Sequence, residues 1–455
     1  MAAPRFSAHR RDAAHAIAPA SPSTLSAGMT PSASPSSATS NLISTSTHRR
    51  LLPVAAGPKM RVLSVLSSSN QMYSGIGRAV FELTARLKER VDFEFAIDDQ
   101  YPKNLDLVLA FGAKHGIPVH VGPALSSPRS LDTFSATLPT LLRQGHYDLV
   151  EALCWANSAS NGIVLREIGD RALVYTGHFQ PLWTVPMSPE VSSHTDDIHH
   201  KMAQRADAVL CVSPWERRVV QSQAPGRNNC HYVANGCNMA DYRPKGWVRK
   251  PQLLFVGDLA EPRKRFDRIL AIFPRLLARW PELKLVVIGN GSDTALARIP
   301  EPLRPACELR GYVSEPQLRR AYSESRGVFL LSEFEAFGIP ILEGLVSGTP
   351  VFLTDLEVTR SLFAPFKGAK FCPGDDPEAT LAIVETTLAR GEAESREILL
   401  DRDRLGAAFD WDALALRKWQ ALSAAWFTRH YIDRPFQGPR SAGVIDSTSH
   451  NKYRS

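Results

Sequence analysis

The chain has 455 residues, 44% of them hydrophobic, enough to fill two cores of ordinary size once its poorly patterned ends are set aside. The formal charge of +7 belongs to those ends: Arg5, Arg10, Arg11, Arg49, Arg50 and Lys59 stand against Asp12 alone, and Arg440, Lys452 and Arg454 against Asp446. The body between them is close to neutral, so the basic balance does not imply a nucleic-acid partner, and no apolar run reaches the roughly 18 to 20 residues that cross a bilayer.

Residues 1–59 are rich in Ser, Ala, Pro and Thr and carry no sustained hydrophobic period, so they lack the means to join a core. Their Arg- and Ser-rich, acid-poor character also fits an organelle transit peptide, and the absence of an apolar core argues against a secretory signal. A mis-assigned start is the third reading and the favoured one, because Met60 opens directly into a strand.

From there short β-branched runs alternate with amphipathic stretches. Arg61 to Leu66 is a buried strand by pattern, and Gly75 to Glu89 is a helix in which Ile76, Val80, Leu83 and Leu87 recur at helical spacing. Further strands are expected at 148–152, 172–176 and 208–212, with a helix from Pro214 to Ser222. After the polar stretch Arg243 to Lys250 the alternation restarts with strands at Gln252–Val256, Lys284–Ile288, Gly327–Leu331 and Val351–Leu353. Repeated βα units imply a parallel sheet covered on both faces. The fold class is therefore α/β, with two doubly wound Rossmann-like domains, 60–245 and 250–408, facing a cleft. Pro274 should break or kink the helix from Phe266 to Trp280. Trp411 to Arg429 is helical, and 436–455 reads as a disordered tail.

The six cysteines, Cys154, Cys211, Cys230, Cys237, Cys307 and Cys372, are scattered without metal-site spacing and read as free thiols in a reducing compartment. Asp98-Asp99 and Asp196-Asp197 read as solvated loop pairs, so no metal site is expected.

The chemistry concentrates in Ser332-Glu-Phe-Glu-Ala-Phe-Gly-Ile-Pro-Ile-Leu-Glu343. The loop after the strand ending near Leu331 lies at the carboxyl end of a parallel sheet, where open α/β sheets bind ligands. Pro340 suits the first helical position and Gly348 the end of that helix. Glu335 on the loop, Glu343 on the helix and the free N–H groups of Phe337, Gly338 and Ile339 share one space, suited to a ring of hydroxyls. Balancing the helix dipole would account for a lone carboxylate there, but not for two carboxylates with seven residues between them, Phe-Gly and Pro among these.

This stretch resembles the signature of the retaining GT-B glycosyltransferases, in particular the large family 4 with its many mannosyl- and glucosyltransferases. The resemblance implies that Glu335 binds hydroxyls of the transferred sugar, that the amides of Phe337-Gly338-Ile339 assist, and that Glu343 holds the ribose. Tyr73-Ser-Gly-Ile-Gly-Arg78 is similar to the family's first glycine-rich loop, where Gly75 and Gly77 let phosphate or acceptor approach. His178 resembles the histidine that faces the donor sugar, and Tyr312 and Val313 fall in the loop that receives the base. Ala206 to Ser213 and Asn235-Gly236 look like family landmarks of structural kind, a strand and a turn. Phe409-Asp-Trp-Asp412 resembles the start of a terminal helix, 409–430, that crosses back to the first domain.

The diphosphate clamp departs from the family. Asp258 stands where an Arg usually follows the glycine, and Arg263-Lys264-Arg265 supply the cations, Lys264 in the expected place and Arg263 or Arg265 as substitute. The resemblance implies a metal-independent hexosyltransferase with no cofactor beyond its nucleotide-sugar substrate. The catalytic residues would be Glu335, His178 and Lys264, and the acceptor a glycan, a lipid-linked molecule or a small molecule. It also implies work in cell-surface polysaccharide synthesis, in the cytoplasm or peripherally on the inner face of the membrane. The competing readings are a nucleotide-sugar-binding protein without turnover and another GT-B enzyme, a phosphorylase or an epimerase.

Overall fold

The computed structural model describes residues 59–67, 75–99, 101–122, 137–153, 158–177, 198–223, 229–242, 244, 249–291 and 296–432. The extension 1–58, the tail 433–455, Cys154, His178 and the pair Asp196-Asp197 lie outside them.

Two parallel sheets form the described body. The first orders its strands β3-β2-β1-β4-β5-β6-β7, with β1 Met60–Val65, β2 Val91–Asp98, β3 Val119–Gly122, β4 Leu149–Leu153, β5 Ala172–Thr176, β6 Ala208–Cys211 and β7 Cys230–Tyr232. The second runs β10-β9-β8-β11-β12-β13, with β8 Gln252–Val256, β9 Lys284–Ile288, β10 Cys307–Gly311, β11 Gly327–Leu330, β12 Val351–Thr354 and β13 Ala369–Cys372. The central strands are mostly apolar and bury residues on both faces because helices cover both. In β1, Val62 joins the core on one side, while Leu63 and Val65 join the core on the other.

In each sheet the strand order reverses once, between β1 and β4 and between β8 and β11. The loops leaving those strands diverge to opposite faces and open a crevice at the carboxyl ends. Eight helices matter to that crevice: α1 Gly75–Leu87, α2 Pro214–Gln223, α3 Phe266–Arg279, α4 Glu315–Glu324, α5 Ile339–Val346, α6 Glu357–Phe363, α7 Arg402–Phe409 and α8 Trp411–Phe427. No described helix is long and apolar enough to cross a membrane.

The last helix belongs spatially to the first sheet. α8 packs on α1 and against β5 and β6, and Lys418 carries its ammonium to 2.6 Å from the carboxylate of Glu151 in β4. Glu151 also accepts from Ser64 in β1 at 3.0 Å. Both charged residues are almost fully buried, so the pair contributes less to net stability than to fixing where α8 docks, since either charge left alone would be costly there. The Asn235-Gly236 turn meets the start of this helix: Cys237 N–H donates to Phe409 O at 2.9 Å. A Cβ at Gly236 would stand 2.7 Å from Phe409 O and from the Trp411 ring, which explains the glycine by packing.

Two expectations are amended. The expected break at Pro274 is absent: α3 runs through it as one helix. The proline is on the exposed side, while Phe266, Ile269, Ile272, Phe273 and Leu276 bury the opposite face, and that burial outweighs one missing hydrogen bond. Asp98 is not solvated: it is buried at the end of β2 and accepts from Ser67 Oγ at 2.9 Å. Asp99 beside it is exposed.

Candidate active site

The loop after β8 and the loop after β11 flank the reversal point of the second sheet, and they bring their charges together. Lys264 Nζ donates to Glu335 Oε1 at 2.7 Å, and Arg263 Nη1 lies 3.8 Å from the same oxygen. Arg263 also pairs with Glu261 and reaches Phe334 O at 3.4 Å, while its own carbonyl accepts from Glu333 N–H at 2.8 Å. The two loops are thus stitched side by side. Glu335 is 7% exposed. Burial alone would push its carboxyl up, but the Lys264 ammonium and the Arg263 guanidinium outweigh that and hold it below the usual carboxylate value.

Arg265 goes elsewhere. Its backbone is left-handed, with φ 45°, the one described non-glycine residue with positive φ, and its side chain pairs with Asp267 at 3.0 Å. Asp258 serves the turn itself, accepting from Ala260 N–H at 2.8 Å and from Asn290 Nδ2 at 3.3 Å. An Arg at that position would remove both bonds.

α5 begins where these loops end. Gly338, at φ 86°, turns the chain into the helix, and the first N–H groups of α5 have no acceptor within the helix. Helix termini favour anions at this end. The expected helix ends as anticipated at Gly348, which adopts φ 70°, and begins one residue earlier than anticipated, at Ile339, within the usual scatter of helix boundaries. Phe337 contributes only its backbone to the crevice, since its ring is buried against Phe363 and Phe409, with centroids 5.6 and 5.7 Å away. Tyr312, 71% exposed, and Val313 follow β10 at its carboxyl end.

Glu343 lies further along α5 and is 2% exposed. Its Oε1 accepts from Arg78 of α1 and from the Tyr242 phenol, and Arg78 Nη2 reaches Glu315 Oε1 of α4 at 2.7 Å. Burial and then the Glu343 charge push the Tyr242 phenol well above its ordinary value. Burial by itself would lower the Arg78 guanidinium, but the charges facing it, Glu343 foremost, reverse that and raise it. Gly75 stands next to this contact: a Cβ there would come within 2.7 Å of Ile339 Cδ1, so a side chain would press on the start of α5. Gly77 is buried within α1.

The sequence named Glu335, Lys264 and either Arg263 or Arg265 as separate site residues; the structure brings Lys264 and Arg263 to Glu335, and adds Arg78, Tyr242 and Glu315 around Glu343. Further ties cross between the halves. Trp215 of α2 donates from Nε1 to Glu357 of α6 at 2.7 Å, Arg319 of α4 pairs with Asp241 at 3.2 Å, and Arg402 of α7 donates to Tyr242 O at 3.0 Å. Among the described residues no group of three or more His, Cys, Asp and Glu could hold a metal ion.

Comparison with known proteins gives this crevice its context. The family described as "Glycosyl transferases group 1" matches residues 250–390, and the "Glycosyl transferase 4-like domain" matches residues 74–236. A phosphatidyl-myo-inositol mannosyltransferase of Propionibacterium freudenreichii is 28% identical over 65% of this chain and 72% of its own length. A glycogen synthase of Mycobacterium tuberculosis is 25% identical over 61% of this chain and 69% of its own. Among solved structures, Anabaena HepE in complex with UDP and glucose shares the fold at a TM-score of 0.64, with 16% identity, covering 80% of this chain and 100% of that one. Both halves of the sequence and the pairing of two parallel sheets thus lead to one conclusion: this chain belongs to the GT-B glycosyltransferases of group 1, the family 4-like enzymes.

Proposed function

We propose that the chain transfers a hexose of mannose or glucose type, with retention of anomeric configuration, from a nucleotide-sugar donor to a glycan, lipid-linked or small-molecule acceptor in surface polysaccharide or glycolipid synthesis. The observation that carries this reading is the cluster of Lys264, Arg263 and Glu335 at the reversal point of the second sheet, beside the N-terminus of α5. Cations and a helix N-terminus suit a diphosphate, and a buried ionised carboxylate beside them suits the hydroxyls of the sugar it carries. The relatives named as mannosyltransferases and the neighbour holding UDP and glucose favour these substrate classes.

In this reading the bond from the anomeric carbon to the diphosphate oxygen breaks as Lys264 and Arg263 take up the developing negative charge. The acceptor hydroxyl arrives on the same face, and its proton passes to the departing phosphate oxygen. Glu335 holds sugar hydroxyls as the ring flattens, Glu343 the ribose, Tyr312 and Val313 the base, and the amides of Phe337, Gly338 and Ile339 the donor. His178 would face the sugar from the first half, and Gly75 and Gly77 would leave room for phosphate or acceptor. Incubation with UDP-, GDP- and ADP-sugars tests the reading through release of nucleoside diphosphate. Release with at least one donor supports it; binding of a donor without release contradicts it and favours a binding protein.

A further inference from the structure

Arg78 has no part in the reading above, yet it bridges the two halves by charge. It lies in the first turn of α1, and its guanidinium divides between Glu343 of α5 and Glu315 of α4. Those two carboxylates differ: Glu315 is half exposed, with 52% of its side chain accessible, whereas Glu343 is shut away from water. A carboxylate at that depth is costly unless a cation neutralises it.

The other groups packed around Glu343 do not supply that charge. Tyr242 donates a hydrogen bond as a neutral phenol, and the fully buried Tyr322 of α4 is likewise pushed far above its ordinary value by burial and by Glu343. Cys237 stays a thiol for the same two reasons. Arg402 of α7 directs its donors to the carbonyls of Met239, Tyr242 and Val346.

We propose that Arg78 is a positioning residue for the donor: from the opposite half of the molecule it neutralises and aims the Glu343 carboxylate, so that the ribose contact is complete only when the two halves are apposed. This rests on the ribose role given to Glu343. Ribose hydroxyls are best received by an ionised carboxylate, which offers acceptors on both oxygens, and a protonated carboxyl gives up part of that capacity. Without Arg78 the buried carboxylate loses both its counter-charge and the contact that aims it. Donor binding is then weakened through a residue the donor does not touch.

The test is calorimetric titration of UDP, GDP and ADP into the wild type, Arg78→Met, Arg78→Lys and Glu343→Ala, each variant read as a ratio to wild type under the same conditions. Arg78→Gln stands in as the neutral variant if Arg78→Met is unstable. For the nucleotide that binds wild type, the neutral variant should be weaker by about tenfold or more. Arg78→Lys should restore most of the loss, and Glu343→Ala should be weakened by a similar factor. A neutral Arg78 variant with wild-type affinity, or one weakened but not rescued by Lys, overturns the inference. Wild-type affinity in Glu343→Ala overturns the ribose reading itself, whatever Arg78 does, and a wild type that binds none of the three nucleotides overturns both.

Discussion

Glu335 and Glu343 sit on one short stretch of chain and are both buried, yet their charges are balanced in opposite ways. Glu335 takes its cations, Lys264 and Arg263, from the neighbouring loop of the same sheet. Glu343 takes its cation, Arg78, from the other half of the molecule. The first charge cluster is therefore made within the second half alone, and the second only by contact between the halves. On the roles proposed above, a donor touching both carboxylates would meet one cluster held within a single half and one held across the two.

The sharpest way to break this comparison is to remove Glu335. Glu335→Ala should lower turnover by roughly two to three orders of magnitude, comparable to losing a preorganised group in the transition state, with little change in nucleoside diphosphate affinity. Steady-state kinetics with parallel nucleotide titration read both, and wild-type turnover would remove the role. Next in size is Lys264→Ala, expected to cost ~2–4 kcal/mol in kcat/KM, because the diphosphate loses the cation nearest the sugar carboxylate. Arg263→Ala should follow it in direction, whereas Arg265→Ala should leave kcat/KM unchanged, since Arg265 is turned to Asp267. Equal losses at 263 and 265 would show that the loop rearranges on donor binding.

A smaller effect concerns pH and stability. The Glu335 carboxyl is lowered in the folded protein, so the stabilisation it draws from its cations is fully present above the unfolded carboxylate value, about 4.3, and is lost as the pH falls through the folded value. The stability advantage of wild type over Lys264→Met should accordingly be constant from pH 6 to pH 8 and shrink below about pH 4, as read by denaturant unfolding at each pH. Smallest of all is Arg265→Gly. Relief of its left-handed backbone should raise stability by up to ~1 kcal/mol, offset in part by the loss of an exposed ion pair with Asp267. A lower melting temperature would show that the pair outweighs the strain.

The asymmetry between the two carboxylates also explains what could be read in the sequence. Strands β1, β4, β5, β8, β9 and β11 were legible because burial on both faces makes them mostly apolar runs, with at most two polar or charged residues in each. β2 was not, since Asp92 and Glu94 interrupt it, and β3, β7 and β13 are short or lie at sheet edges where burial is incomplete. Lys264 and Glu335 were each named as site residues, and both follow strands that flank one reversal point, but their contact shows only in the structure. Nothing local pairs Arg78 with Glu343. The need for a counter-charge follows from burying Glu343, but a chain with 53 Lys and Arg residues gives no means of choosing among them. Asp98 was misread for a related reason: its partner Ser67 lies on the loop after β1, close only once the strands are paired.

The account stands or falls on whether the Glu335 pocket performs transfer rather than binding. Nucleoside diphosphate release from UDP-, GDP- and ADP-sugars, compared between wild type and Glu335→Gln with donor affinity measured on the same samples, tests this most directly. The account predicts release by wild type from at least one donor and a drop of roughly a hundredfold or more in the variant, with donor still bound. Donor bound by wild type without release, or equal release by both proteins, would contradict it.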